Sequence, residues 1–429
     1  MIPIYHWPSA EAKNHLQKVS LRGSKEDTVL QSRVATILST VKKVGDEAVR
    51  KWIRQFEEYD PKELKIDPME IKDLASQADP ELLKIIQQAK RNIWDFHERQ
   101  REKSWELEAK DGVKLGQRIT PLQTVGLYVP GGTAAYPSTV LMNAIPAQIA
   151  GVSRIIVTTP YRKFRKNPLI AAVFKELGLE EVYGVGGAQA IAALAYGTAT
   201  IPRVNKIVGP GNAFVAEAKK QVFGSVDIDV IAGPSEVVIV SDEFANPVFV
   251  AADLMAQAEH DESALALAIT FSATQAEAIK DSLIDQVKHF SRKTIIQKAL
   301  SKFGVILVVK QVKEAAEIVN NIAPEHLELL MESAESFAEK IDAAGAIFFG
   351  ANSCETVGDY FAGPNHVLPT GGTSQFASPL GVYDFIKRTN LIKYSRQAIT
   401  KHYRAIEQFA LAEKLDAHAH SVRVRVERN

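Results

Sequence analysis

The chain has 429 residues, 46% of them hydrophobic, with Lys+Arg and Asp+Glu both at 51. That length exceeds one ordinary core, so two or more domains are expected. The balanced charge excludes the basic excess of a nucleic-acid binder, and no apolar run reaches the roughly 18 residues of a membrane helix. The first residues, Met-Ile-Pro-Ile-Tyr-His, carry no basic segment followed by an apolar one, so no secretory leader is expected. A single cysteine, Cys354, excludes an internal disulfide framework and fits a reducing cytoplasm. No base stands beside it in sequence, so it reads as a packing residue.

Residues 1–106 read as a helical region that packs on the first of two α/β domains. Val29, Val34, Ile37, Leu38, Val41 and Val44 recur at helical spacing behind an Asp27-Thr28 cap. His97 in this part reads as structural or exposed. At Val125 the texture changes. Val125-Gly-Leu-Tyr-Val-Pro-Gly-Gly132 is an apolar strand running into a glycine-rich turn, and a helix-like segment (138–150) and a strand (154–159) follow. A helix (169–177) closed by Gly178 leads to a strand at 182–185, Gly186-Gly187, a strand at 206–208, and Gly209-Pro-Gly-Asn212 opening another helix. Strand, glycine turn and helix in alternation imply βαβ units and a mostly parallel sheet.

The alternation resumes after residue 228. Strands are predicted at 237–240, 265–269, 305–309 and 346–349, separated by helices at 246–260, 273–287, 312–321 and 333–342. The expected organisation is therefore α/β with two domains. One comprises 107–125 plus 236–377 and the other 126–235. Residues 378–429 form a mostly helical tail, with helices at 386–391 and 398–418 and a strand-like end at 422–427.

Three glycine turns, ending at Gly132, Gly187 and Asn212, follow strands and precede helices. Such turns let backbone N–H groups approach a phosphate, so three together point to a nucleotide or dinucleotide. None is a G-x-G-x-x-G with a downstream acid, and no Gly-Lys-Ser/Thr is present. Gln257 and His260 are three apart and share a helix face, a spacing that can chelate a divalent ion or simply end a helix. Pro324-Glu325-His326 offers an acid/base pair or an exposed strand entrance; joint use needs an irregular backbone, because neighbours in a strand point apart. The stretch Gly358 to Gly372 reads as a loop whose glycines and prolines fix the presentation of Asp359, Asn365 and His366. Near the C-terminus stand Glu413, His418 and His420. The ligand candidates are thus Gln257, His260, Asp359, His366, His418 and His420, a nitrogen and oxygen set that favours zinc, manganese or a similar ion.

Seven segments in order resemble the histidinol dehydrogenase family. They are Gly126-Leu-Tyr-Val-Pro-Gly-Gly, Gly186-Gly-Ala-Gln-Ala-Ile, Gly209-Pro-Gly-Asn, Ala232-Gly-Pro-Ser-Glu, Ala256-Gln-Ala-Glu-His-Asp, Pro324-Glu-His-Leu-Glu and Gly363-Pro-Asn-His-Val-Leu-Pro-Thr-Gly-Gly-Thr. The resemblance implies two incomplete Rossmann-like parallel-sheet domains. It implies oxidation of L-histidinol to L-histidine through a bound aldehyde in two NAD-dependent steps. It assigns one zinc per subunit to Gln257, His260, Asp359 and His418. Substrate contacts fall on Ser235, Gln257, His260, His326, Asp359, Glu413 and His418, NAD contacts on Tyr128, Gln189 and Asn212, and the catalytic pair on Glu325 and His326. It further implies a cytoplasmic homodimer whose tail crosses to the partner, so that Glu413 and His418 complete the other subunit's site. Asp227, Gln375, Pro379 and Gly381 depart from the family's usual residues. The competing readings are a zinc- and NAD-dependent dehydrogenase of another polar alcohol, and a nucleotide-binding protein without catalysis. The presence of Glu413 and His418 favours histidinol over another alcohol.

Overall fold

The computed structural model describes residues 2–22, 27–131, 137–231 and 233–427. Gly132 of the first glycine turn and Ala232 of the fourth matched segment lie outside the described residues. In chain order the strands are β1 (Ile4–His6), β2 (Trp105–Ala109), β3 (Val113–Pro121), β4 (Thr124–Tyr128), β5 (Arg154–Thr158), β6 (Val182–Tyr183) and β7 (Lys206–Val208). They continue as β8 (Asp227–Ile228), β9 (Glu236–Ser241), β10 (Leu265–Thr270), β11 (Val305–Val308), β12 (His326–Leu330), β13 (Ala346–Phe349) and β14 (Ile386–Lys393).

Two parallel sheets carry the fold. One is ordered β6-β5-β4-β7-β8, the other β1-β11-β10-β9-β12-β13. Their central strands are apolar and buried on both faces, as a sheet covered by helices on each side requires. The helices Pro247–Ala258, Ala273–Gln286 and Val312–Ile322 lie between successive strands of the second sheet. Each parallel step needs such a crossover. Among the described residues no helix is long and apolar enough to cross a membrane.

The N-terminal helices depart from expectation. Residues 2–19 join the second sheet, where β1 pairs with β11 and Ala12 and Val19 enter its core. The helices Thr28–Val44, Asp46–Glu57, Pro68–Ala75 and Pro80–Glu98 pack instead on the first sheet, against residues of 125–228. Residues 107–125 also divide. β2 and β3 form a small antiparallel sheet with β14, ordered β14-β3-β2, and β4 enters the first parallel sheet. The predicted helix at 386–391 is therefore a strand, paired with β3 from Ile386↔Pro121 to Lys393↔Lys114. Nearly all of β14 is exposed, so it lacks the one-sided apolar period that marks a half-buried strand. The predicted strand at 422–427 belongs to a helix, Asp416–Glu427. It is held by packing and by the Arg423–Glu407 ion pair to the helix Arg396–Ala412, which overrides its alternating valines.

Phe385 anchors the start of the tail. Its side chain is fully buried in the core beneath the first sheet, and its carbonyl accepts the Leu122 N–H at 2.8 Å. Phe385→Ala should lower unfolding free energy by about 3–5 kcal/mol, because the ring leaves a cavity that fixed neighbours cannot fill. Chemical denaturation measures this; a loss below about 1 kcal/mol would mean that the site collapses freely.

Candidate active site

The amino edge of the second sheet faces the carboxyl edge of the first. β12 begins at His326 and β9 at Glu236, while β4 ends at Tyr128 and β7 leads into Gly209. Between them lies a cavity of about 360 Å³ whose lining includes Ser235, His260, Glu325, His326, Glu355, Asp359 and His366 on one side and Pro210, Gly211 and Lys219 on the other. The carboxyl edge of a parallel sheet is the usual ligand side; here the second sheet instead offers its amino edge.

Glu325 and His326 come together because the backbone before β12 is irregular. Ala323 ends its helix at φ 48, ψ 62, a left-handed conformation costly for a residue with a Cβ. Pro324 follows, and the Gly345 and Ala346 N–H groups bind the Pro324 and Glu325 carbonyls at 2.8 and 2.9 Å. A Cβ on Gly345 would lie 2.5 Å from the Glu325 carbonyl oxygen, so only glycine permits this approach. Glu325 therefore stands just outside the strand, and both side chains reach the cavity.

The geometry fixes their chemical states. His326 Nδ1 lies 3.1 Å from the Glu236 carbonyl, which can only accept, so Nδ1 carries the proton. Nε2 is then the free acceptor. It is buried, has no hydrogen-bond partner among the described residues, and lies 3.9 Å from Asp359. Burial pushes this imidazole down to about 4, so it is neutral near pH 7 and available as a base. Glu325 accepts the Glu236 N–H at 2.9 Å, and its own N–H reaches the Glu236 carboxylate at 3.3 Å. Burial nonetheless raises Glu325 well above the carboxylate range, aided by the charges of Glu236 and Asp359.

The metal candidates divide into two groups. His260 follows the helix Pro247–Ala258, and its ligand atom lies with those of Glu355 and Asp359 within 4.8 Å of one another. Asp359 is not on the predicted loop but in the last turn of a short helix, Glu355–Tyr360. Gln257 is fully buried, and its amide oxygen is set against the Glu355 carboxylate, acceptor against acceptor. Rotating the amide would relieve that clash, and so would a cation between them. Burial holds Glu355 well above the carboxylate range, with the charges of Asp359 and Glu325 adding to it. A crowded set of buried carboxyls, an imidazole and an amide oxygen fits a divalent cation. Glu355 escaped the sequence reading, although it stands four residues before Asp359, the spacing of one helix face.

His366, left open by the sequence, is half-buried at the cavity wall with Nδ1 3.0 Å from the Asp359 carbonyl, so it steadies that helix end. His97 is structural: it is fully buried, between the Ile93 carbonyl at 2.7 Å and the Asn365 amide at 3.3 Å. Glu413, His418 and His420 are exposed on the tail and do not line the cavity.

A second cavity, about 450 Å³, opens at the carboxyl edge of the first sheet and brings together Tyr128, Gln189 and Asn212. Asn212 caps the helix Ala213–Val222 by accepting the Phe214 and Val215 N–H groups. The buried Gln189 amide oxygen has no partner among the described residues. The two cavities share Pro130 as a wall, so a ligand in one can extend toward the other.

A sequence model described as histidinol dehydrogenase matches residues 20–426. Histidinol dehydrogenase of Listeria monocytogenes is 49% identical over 398 residues, 93% of each chain. That of Geobacillus kaustophilus is 49% identical over 414 residues, 96% of this chain and 97% of its own. The crystal structure of histidinol dehydrogenase from Elizabethkingia anophelis superposes with a TM-score of 0.93 at 35% identity, covering 100% of this chain and 98% of that one. With one family spanning almost the whole chain and the acid/base pair and cation cluster meeting in a single cavity, the chain belongs to the histidinol dehydrogenase family.

Proposed function

We propose that the cavity between the two sheets oxidises L-histidinol to L-histidine through a bound aldehyde, with NAD as hydride acceptor in both steps. The observation that carries this is His326, neutral and with Nε2 unpaired, beside Glu325 and within reach of the cation cluster. In the first step His326 Nε2 takes the alcohol proton as hydride leaves for NAD. In the second, Glu325 takes a proton from water as that water adds to the aldehyde and His326 returns its proton to the aldehyde oxygen; the neutral imidazole then receives the hydrate's hydroxyl proton as the second hydride departs. Ser235 lines the same space and is positioned for a substrate contact.

In this reading Gln257, His260, Asp359 and, from the partner subunit, His418 would hold zinc, which would supply a Lewis acid for binding the substrate. With the Gln257 amide rotated, its NH2 group donates to the Glu355 carboxylate, so Glu355→Gln should weaken zinc binding about 10–100-fold, as loss of a supporting partner does. Competition with a chromophoric chelator measures it, and an unchanged affinity would remove Glu355 from that role.

Tyr128, Gln189 and Asn212 form the coenzyme pocket in this reading. The working form is a cytoplasmic homodimer. Its support is the tail, where Ile392, Phe409 and Leu411 are exposed on elements that otherwise bury little. The deciding experiment counts NADH formed per histidinol added, with and without chelator. Two per substrate and chelator sensitivity support the proposal; turnover of other alcohols alone would replace it with the broader dehydrogenase reading.

A further inference from the structure

None of the glycine turns is a G-x-G-x-x-G with a downstream acid, but the fold brings an acid to the Gly186-Gly187 turn from upstream. Glu57 ends the helix Asp46–Glu57 and enters the wall of the 450 Å³ cavity. One carboxylate oxygen, Oε1, accepts the Gly186 N–H at 3.2 Å. The other, Oε2, is buried without a hydrogen-bond partner among the described residues. The adjacent donors are also committed: the Gly187 N–H to the Tyr128 hydroxyl at 3.1 Å, and the Gly209 N–H to Asp229 at 2.7 Å.

These N–H groups are therefore not a phosphate cradle. Two turns that look like anion sites are already filled by the protein's own oxygens, and each of them holds a carboxylate, Glu57 at one and Asp229 at the other. Burial lifts Glu57 to about 6, against the Gly186 N–H and the Arg162 charge, so it is mostly ionised at neutral pH and above. The cationic side chain in the lining, Arg33, is exposed and lies over the Phe214 ring at 5.2 Å. An unpaired carboxylate oxygen at a cavity wall calls for a hydroxyl donor and repels an anion.

We propose that Glu57 sets coenzyme choice, accepting a ribose hydroxyl of NAD and rejecting the 2′-phosphorylated dinucleotide. This rests on the reading that the cavity of Tyr128, Gln189 and Asn212 holds the coenzyme. A phosphate on that ribose removes the donor and places negative charge against the carboxylate. Specificity then comes from a repulsive element as much as from an attractive one.

The test compares kcat/KM for NAD and NADP, at saturating histidinol, in wild type, Glu57→Gln and Glu57→Ala. Both variants should lower the NAD:NADP ratio by about tenfold or more, chiefly through a lower KM for NADP. Glu57→Gln keeps an acceptor for Gly186, so it serves if Glu57→Ala fails to fold. An unchanged ratio, even with both activities reduced, would overturn the inference and leave Glu57 a support for the turn. Gln189→Ala is the control for the pocket. If it raises the KM for NAD while the Glu57 variants keep the wild-type ratio, only this inference falls. If it leaves that KM unchanged, the pocket reading falls and takes the inference with it.

Discussion

Glu325→Gln should cut oxidation of the aldehyde to the acid by about 10²–10⁴-fold, the range for loss of a positioned general base. Oxidation of the alcohol should remain largely intact. The asymmetry follows from the two side chains. His326 has its Nδ1 tied to the Glu236 carbonyl, so its Nε2 can serve every proton removed from a substrate hydroxyl. Glu325 is held by the Glu236 N–H and carboxylate, and it alone of the pair is free for water. Glutamine keeps the hydrogen bond from Glu236 but cannot accept a proton. The acid-forming step should also depend on pH in a defined sense. Glu325 works ionised, and burial raises it, so the rate should climb with pH along a limb above the usual carboxylate range. That limb should vanish in Glu325→Gln. Supplying alcohol and aldehyde in separate assays reads the two halves; equal loss in both would remove Glu325 from water activation.

Residue patterns expose some of this site and hide the rest for identifiable reasons. The parallel strands were legible because their apolar runs sit between glycine turns and crossover helices. The amino-edge location of the centre was not, since it depends on the helix Pro247–Ala258 carrying Gln257 and His260 back past the start of β10. Glu236 was visible only as part of a matched segment. Its role depends on β9 and β12 being neighbours, with Val237 opposite His326. Arg22 binds the Glu236 carboxylate from more than two hundred residues away, a pairing that no local pattern encodes. The glycine turns misled in an instructive way. Their sequence reads as phosphate sites, yet Glu57 and Asp229 already hold the N–H groups. Asp359 looked like a loop residue because Gly358 and the glycines beyond it suggest a break. The helix Glu355–Tyr360 is only six residues long and ends just there.

Mixing inactive His260→Asn and His418→Asn subunits should restore about a quarter of wild-type activity if each site in a two-fold dimer draws on both chains. Free exchange makes half the dimers mixed. In a mixed dimer one site receives both altered residues, and the other receives an intact His260 from one subunit and an intact His418 from its partner. The single chain argues for this arrangement. His260 lies in the cation cluster, whereas Glu413 and His418 are exposed on the paired helices Arg396–Ala412 and Asp416–Glu427. Only Ala398 is buried on the first of these helices and Ala419 and Val422 on the second. Phe409 is 71% exposed and Ile392, on β14, 74%, more apolar surface than a solitary tail would leave in water. The tail is nonetheless rooted in its own subunit by β14 on β3 and by Lys401 to Asp111 at 2.6 Å. A firmly rooted arm with a bare apolar face is suited to reach across a two-fold axis. Each variant alone should also lose zinc, measured by elemental analysis, and the mixture should regain metal in step with activity. If confirmed subunit exchange restores neither, each site is built within one chain and the tail must fold back to supply His418.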